Sequence, residues 1–155
     1  VDRFSNSYNI LVITWKTEPK KEAPMKKSGI INPELARALA TLGHTDLICI
    51  ADAGLPMPDS VARIDLTLVL GIPAIVDVLG ALEAECIFQK KVFAEEARAK
   101  NKKFVAELDS LWPDIVGQEV SHEEFKKLVS KCRFVIRTGE FKPYANVILE
   151  SSVPF

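Results

Sequence analysis

Cysteine is scarce in this sequence: Cys49, Cys86 and Cys132 are its only 3. Three scattered thiols cannot build a disulfide framework, and without a CxxC pair they offer no thiolate metal site. They read as reduced thiols of a cytoplasmic protein. Long apolar runs are also missing, since none approaches the roughly 18–20 residues of a membrane-spanning helix. Neither sign of charge dominates. Twenty Lys and Arg against 21 Asp and Glu leave a formal net charge of −1, whereas binding duplex nucleic acid needs a clustered cationic excess. The short glycine segments Asp52-Ala-Gly54 and Gly71-Ile-Pro73 do not match phosphate-cradling fingerprints. No HxxxH or acidic cluster suggests a metal. The expectation is a protein without metal or cofactor that works on a small molecule or through assembly.

What is present fits one ordinary domain. The chain has 155 residues, 48% hydrophobic and 26% charged, which is globular composition. Residues 1–24 differ in character, with a short apolar piece Ile10–Trp15 followed by Thr-Glu-Pro-Lys-Lys-Glu-Ala-Pro24. This stretch reads as an N-terminal leader ending in a linker, with the domain spanning 25–155 from Met25. The rival reading is an extra edge strand, with Tyr8, Ile10, Val12 and Thr14 on one face.

From Asn32 onward, helical and strand signals alternate. Asn32-Pro33-Glu34 starts a helix that Gly43 is expected to end. Leu47–Ala51 suits a buried strand, and 52–59 is a loop rich in breakers. Ile64, Leu66 and Leu68 alternate like a strand. Pro73–Leu82 predicts a buried helix, Ile87–Glu95 a strand, and Ala97–Trp112 a single helix with Phe104, Leu108 and Leu111 inward. Ser121-His-Glu-Glu124 is a capping box before another helix. Phe134–Arg137 and Val147–Leu149 are strands flanking the turn-rich 138–146. The pattern predicts an α/β fold, a single-domain layered sandwich with a central, largely parallel or mixed sheet flanked by helices.

The candidate chemistry centres on the 2 histidines, since imidazole titrates nearest neutrality. His44 follows Gly43, and Asp52 lies just past the next strand; together they could bring an acid and a base to one sheet edge, the usual ligand crevice. Equally, His44 could cap the preceding helix, and Asp52 could bond nearby backbone amides in its turn. His122 sits in the first turn of its helix, where the neutral form is favoured; a surface histidine without function is the plainer reading. Tyr144 and Asn146 lie in a turn that could hydrogen-bond a polyol.

Six segments carry a resemblance. MKKSGIINPELA, LGHTDLICIADAGLPMP, RIDLTL, SHEEFK, VIRTGEFKPYANVIL and the terminal VPF are similar, in order, to the ribose pyranase/fucose mutarotase family. The form DAGLP resembles the ribose branch. The resemblance implies a cofactor-free isomerase that interconverts the β-pyranose and β-furanose forms of D-ribose. It implies His44 as the catalytic acid, with Asp52, His122, Tyr144, Ala145 and Asn146 binding substrate. It also implies a homo-oligomer of stacked pentameric rings, a homodecamer, with sites completed between neighbouring subunits. The alternatives are a non-catalytic sugar-binding protein and a mutarotase acting on another sugar such as fucose.

Overall fold

Leu47–Ala51, apolar at every position, forms strand β1, and its two faces supply both halves of the core. Ile48 and Ile50 point into one cluster; Cys49 and Ala51 point into the other. This follows from the two-residue repeat of a strand, and a run apolar on both faces belongs in the middle of a sheet. The protein is described here from a computed structural model covering residues 26–155. The expected leader at 1–24 and the alternative edge strand at Tyr8–Thr14 lie outside the described residues.

The other strands are β2 (Ala62–Asp65), β3 (Phe88–Ala94), β4 (Gly117–Val120), β5 (Phe134–Arg137) and β6 (Val147–Ser151). Among the described residues they form one 6-stranded sheet in the order β2-β5-β1-β6-β3-β4. β1, β2 and β5 run parallel to one another, as do β3 and β4. β6 lies between β1 and β3 and is antiparallel to both. The sheet is therefore mixed. Its topology places the carboxyl ends of the parallel strands and the start of β6 along one edge.

Helices α1 (Pro33–Leu39), α2 (Ile75–Glu85) and α4 (Lys102–Leu111) cover one face. Leu35, Leu79, Leu82, Phe104 and Leu108 meet Ile48, Ile50, Phe93, Ile136 and Leu149 there. α5 (His122–Val129) covers the other face, where Phe125 and Val129 pack on Cys49, Val92, Val135 and Ile148. This is the α/β layered sandwich expected from the sequence.

Several boundaries differ from expectation for local reasons. α1 ends at Leu39 rather than at Gly43, because the Thr41 and Leu42 amides close its last turn on Ala38 and Leu39 carbonyls. Gly43 instead donates its amide to Asp46 Oδ2 at 2.8 Å. β2 stops at Asp65, whose carboxylate accepts the Thr67 amide at 3.0 Å and turns the chain, leaving Leu68 exposed. The helix predicted over Ala97–Trp112 is two, the short α3 (Ala97–Lys100) and α4, broken at Asn101. There the Asn101 side chain caps Phe104 N at 3.3 Å and donates to Pro143 O at 3.0 Å. Strand β4 has no counterpart in the sequence reading; it is an edge strand that is largely exposed, so it lacks the apolar pattern of a buried one.

Candidate functional site

Most of the candidate residues meet at the edge where the parallel strands end. β1 delivers Asp52 and β6 begins just after Asn146, so adjacent antiparallel strands present the two side chains to each other. Asp52 N donates to Asn146 Oδ1 and Asn146 Nδ2 donates to Asp52 Oδ2, both at 2.8 Å. The second carboxylate oxygen, Oδ1, accepts Gly54 N at 2.9 Å. The turn-forming reading of Asp52 is thus correct as local structure, yet it leaves the carboxylate half-buried at the rim of a hollow. That hollow measures about 500 Å³ and is lined by Asp52, Ala53, Gly54, Leu70, Arg137, Glu140 and Phe141.

Tyr144 and His122 extend the same edge. Their rings meet edge to face with centroids 5.2 Å apart, and the imidazole also stacks near Phe125 at 6.5 Å. Tyr144 adopts φ of 55°, a left-handed conformation unusual for a residue with a side chain. His122 N donates to the Glu96 carboxylate, with both oxygens at 3.1 Å. His122 Nδ1 is buried and, among the described residues, has no hydrogen-bond partner. Ala145 is buried between the two polar neighbours and packs on the core.

His44 is elsewhere. It precedes β1 while Asp52 follows it, so the two occupy opposite ends of one strand. The expectation that one chain brings them to a common edge is overturned by the length of β1, whose 5 residues span roughly 16 Å. The helix-capping alternative is not observed either: the exposed imidazole places Nε2 3.1 Å from Gln89 Oε1, at the start of β3.

Arg137 and Glu140 escaped the residue-by-residue reading, although both stand in the quoted segment VIRTGEFKPYAN. Arg137 donates from Nε to Ala53 O at 3.1 Å and from Nη1 to Asp65 Oδ2 at 2.9 Å, pinning the Asp52 loop to β2. Desolvation pushes the Asp65 carboxyl up, but hydrogen bonds from Thr67 and Arg137 outweigh it and hold the group below its ordinary value. Glu140 is buried and accepts the Phe141 and Lys142 amides, each at 3.0 Å. The thiols take no part: burial pushes Cys49 well up and Cys132 to about 12, so both are inert. Among the described residues, no three His, Cys, Asp or Glu side chains are placed to hold a metal ion.

A sheet edge bearing a carboxylate–amide pair, an imidazole and a tyrosine offers hydrogen-bond donors and acceptors of the kind a polyhydroxylated ligand can use, and comparison with known proteins narrows the class. The family described as the RbsD / FucU transport protein family matches residues 25–154, and the chain belongs to it. It is 50% identical over 131 residues to a D-ribose pyranase of Bacillus subtilis, covering 84% of this chain and 100% of that protein. A D-ribose pyranase of Geobacillus thermodenitrificans is 49% identical over 131 residues, with 84% and 99% covered. The solved structure of Bacillus subtilis RbsD complexed with D-ribose superposes with a TM-score of 0.81 at 50% identity, over 84% of this chain and 100% of that one. The fucose mutarotase of Streptococcus pneumoniae, solved with L-fucose, shares the fold at a TM-score of 0.69 and 22% identity, with 81% and 95% covered.

Proposed function

We propose that this chain is an isomerase interconverting the β-pyranose and β-furanose forms of D-ribose. The observation that carries this reading is the 50% identity to a D-ribose pyranase over that protein's whole length. Ring exchange must open a hemiacetal and close it through a different hydroxyl. The ring oxygen gains a proton as its bond to the anomeric carbon breaks, the anomeric hydroxyl gives one up to solvent water as its C=O bond forms, and closure reverses both transfers with the other hydroxyl as nucleophile. General acid–base catalysis of such a step is worth about 10²–10⁴-fold.

In this reading Asp52 accepts hydrogen bonds from sugar hydroxyls, with Asn146 holding the carboxylate in place. His122, Tyr144 and the Ala145 backbone grip the remaining hydroxyls and keep the open aldehyde near its competing nucleophile. The buried, unpartnered His122 Nδ1 supports this: such an atom costs about 1–3 kcal/mol, which a sugar hydroxyl would relieve. His44 is the proton donor. Because it stands at the far end of β1, the working site takes His44 from a second copy of the chain. A ring of such copies, doubled by stacking, satisfies every site with one kind of contact. The exposed Leu68, Leu70, Ile72 and Phe141, close to the hollow, supply apolar surface for that contact.

The functional unit in this proposal is 25–155, working in the cytoplasm, and deleting residues 1–24 leaves its activity intact. Exchange between ribose ring forms, followed by NMR saturation transfer, tests the central claim. The protein should accelerate exchange and His44→Ala should abolish the acceleration with the fold intact. Ribose binding without acceleration in the unaltered protein would instead make this a binding protein.

A further inference from the structure

The edge that carries His44 holds a hydrogen-bonded chain of its own. His44 Nε2 lies 3.1 Å from Gln89 Oε1, and Gln89 Nε2 donates to Glu150 Oε1 at 2.5 Å. An ionised carboxylate only accepts hydrogen bonds, so the Gln89 amide must turn its NH₂ toward Glu150 and its carbonyl toward the imidazole. A carbonyl also only accepts. The imidazole nitrogen facing it, Nε2, must therefore carry a hydrogen. That leaves Nδ1 as the nitrogen where a proton is gained and lost.

The backbone is shaped to build this chain. Along β3 the register moves two residues, from Phe88 to Lys90, while β6 moves one, from Ser151 to Glu150. Gln89 is the extra residue of a β-bulge, a device that re-aims a side chain and is common beside active sites. On the other side, Thr45 has φ of 67°, a left-handed conformation costly for a β-branched residue. Thr45 N donates to Ser151 O at 2.9 Å and Ser151 N donates to Asp46 O at 2.8 Å, which ties the His44 turn to the end of β6 that bears Glu150. Two local irregularities thus flank a single imidazole and point it at a single amide. The carboxylates near this turn are Glu150 and Asp46; Asp46 is engaged by Gly43 N at 2.8 Å and by Arg133 at 3.8 Å.

We infer that Gln89, oriented by Glu150, is a positioning residue that holds His44 in the Nε2–H tautomer, so that the proton passed to the sugar ring oxygen leaves from Nδ1. The inference rests on His44 being the acid. On donation the imidazolium becomes neutral imidazole still protonated at Nε2, and the ring oxygen gains the hydrogen as its bond to the anomeric carbon breaks.

The tautomer is directly observable. In protein labelled with ¹⁵N-histidine, two-bond proton–nitrogen correlation spectra, with the His44 signals assigned by their loss in His44→Ala, should show neutral His44 protonated at Nε2. Gln89 is exposed, so Gln89→Leu should fold. It should mix the tautomers and slow catalysed exchange at saturating ribose about 10- to 100-fold, as small misplacements of a catalytic group do. Its ribose affinity should not change. The double variant Gln89→Glu with Glu150→Gln exchanges acceptor and donor along the chain; it should restore both the Nε2–H signature and most of the exchange rate. Neutral His44 protonated at Nδ1 in the unaltered protein, or Gln89→Leu with unchanged spectrum and rate, overturns the inference. An inactive His44→Ala beside a fully active Gln89→Leu removes the role of Gln89 and leaves His44 as the acid. Full exchange by His44→Ala removes the acid itself.

Discussion

If each working site takes Asp52 from one copy and His44 from another, inactive variants should rescue each other. The basis is a distance: the 5 residues of β1 put roughly 16 Å of rigid strand between the two side chains. That strand is paired along its length by β5 and β6, so no side-chain rotation closes the gap. His44→Ala and Asp52→Asn, each alone, should therefore be slow in the saturation-transfer assay. Mixed in equal amounts and allowed to exchange subunits, they should recover activity. Random assortment gives about one site in four with both original side chains, so the mixture should reach about a quarter of the unaltered rate per subunit.

The converse mixture is equally diagnostic. The unaltered protein with an equal amount of the double variant begins at half the full rate per subunit. It should fall to about a quarter as subunits exchange, since inert copies now spoil sites on both of their sides. Native mass spectrometry of isotope-labelled mixtures would establish that exchange has occurred. No gain in the first mixture and no loss in the second, after demonstrated exchange, would refute the divided site and place all the chemistry on one edge of one chain.

Further outcomes follow from single contacts. Asp52→Asn leaves one acceptor oxygen for two donors, Asn146 Nδ2 and Gly54 N, a loss of about 1–3 kcal/mol, and removes the carboxylate offered to the sugar, so calorimetry should show ribose binding about 10-fold weaker or worse. Lys91, only 2% exposed, donates to Leu108 O at 3.2 Å, Trp112 O at 3.0 Å and Asp109 Oδ1 at 2.9 Å, closing the end of α4. Lys91→Met should lower unfolding stability in urea by about 1–3 kcal/mol while exchange activity of the folded protein persists. A β-carbon at Gly139 would sit 2.5 Å from Ile72 N and O, so Gly139→Ala should cost about 1–3 kcal/mol and disturb the hollow between Arg137 and Glu140. The depressed Asp65 carboxyl contributes stability that is complete above its ordinary value of 3.8 and is lost as pH falls through the lower folded value. Asp65→Asn should remove that part of the acid unfolding profile.

The sheet was legible wherever apolar pattern and burial coincide. Leu47–Ala51 and Phe134–Arg137 are central strands, and their sequence-derived limits match the structure. β4 escaped because Gly117–Val120 is an exposed edge that owes its conformation to pairing with β3, a contact distant in sequence. The break at Asn101 escaped because a helical periodicity survives it: Phe104 and Leu108 are buried on either reading. In the site, the side chains were readable by type but their grouping was not. Spacing shows that His44 and Asp52 flank one strand; it does not show that a strand which brings residues close in sequence holds them apart in space. Gln89 and Glu150 carried no signal, because their partnership depends on a bulge and on the register of β6.

In the proposed divided site, the antiparallel insertion of β6 is what separates the two working edges. Had the strand between β1 and β3 been parallel, its start would have lain beside the start of β1, and Asn146 would have stood at the His44 edge. Instead β6 begins beside Asp52 and ends at Glu150 and Ser151, so a single strand anchors the Asp52 carboxylate at one end and the Gln89–His44 contact at the other. Val147, Ile148 and Leu149 between them are buried and bond to strands on both sides. The spacing of the two edges is therefore as rigid as the core. If the proposed ring forms, with each copy giving His44 in one direction and receiving it from the other, that rigidity sets the geometry of every site. A packing defect in β6, far from any sugar, should consequently misplace acid and receptor together. Ile148→Ala, which opens a cavity against Phe125 and Val129, should lower stability by about 2–5 kcal/mol. It should also lower the exchange rate of the folded fraction, whereas an equally destabilising change at the outer surface of α4 should lower stability alone.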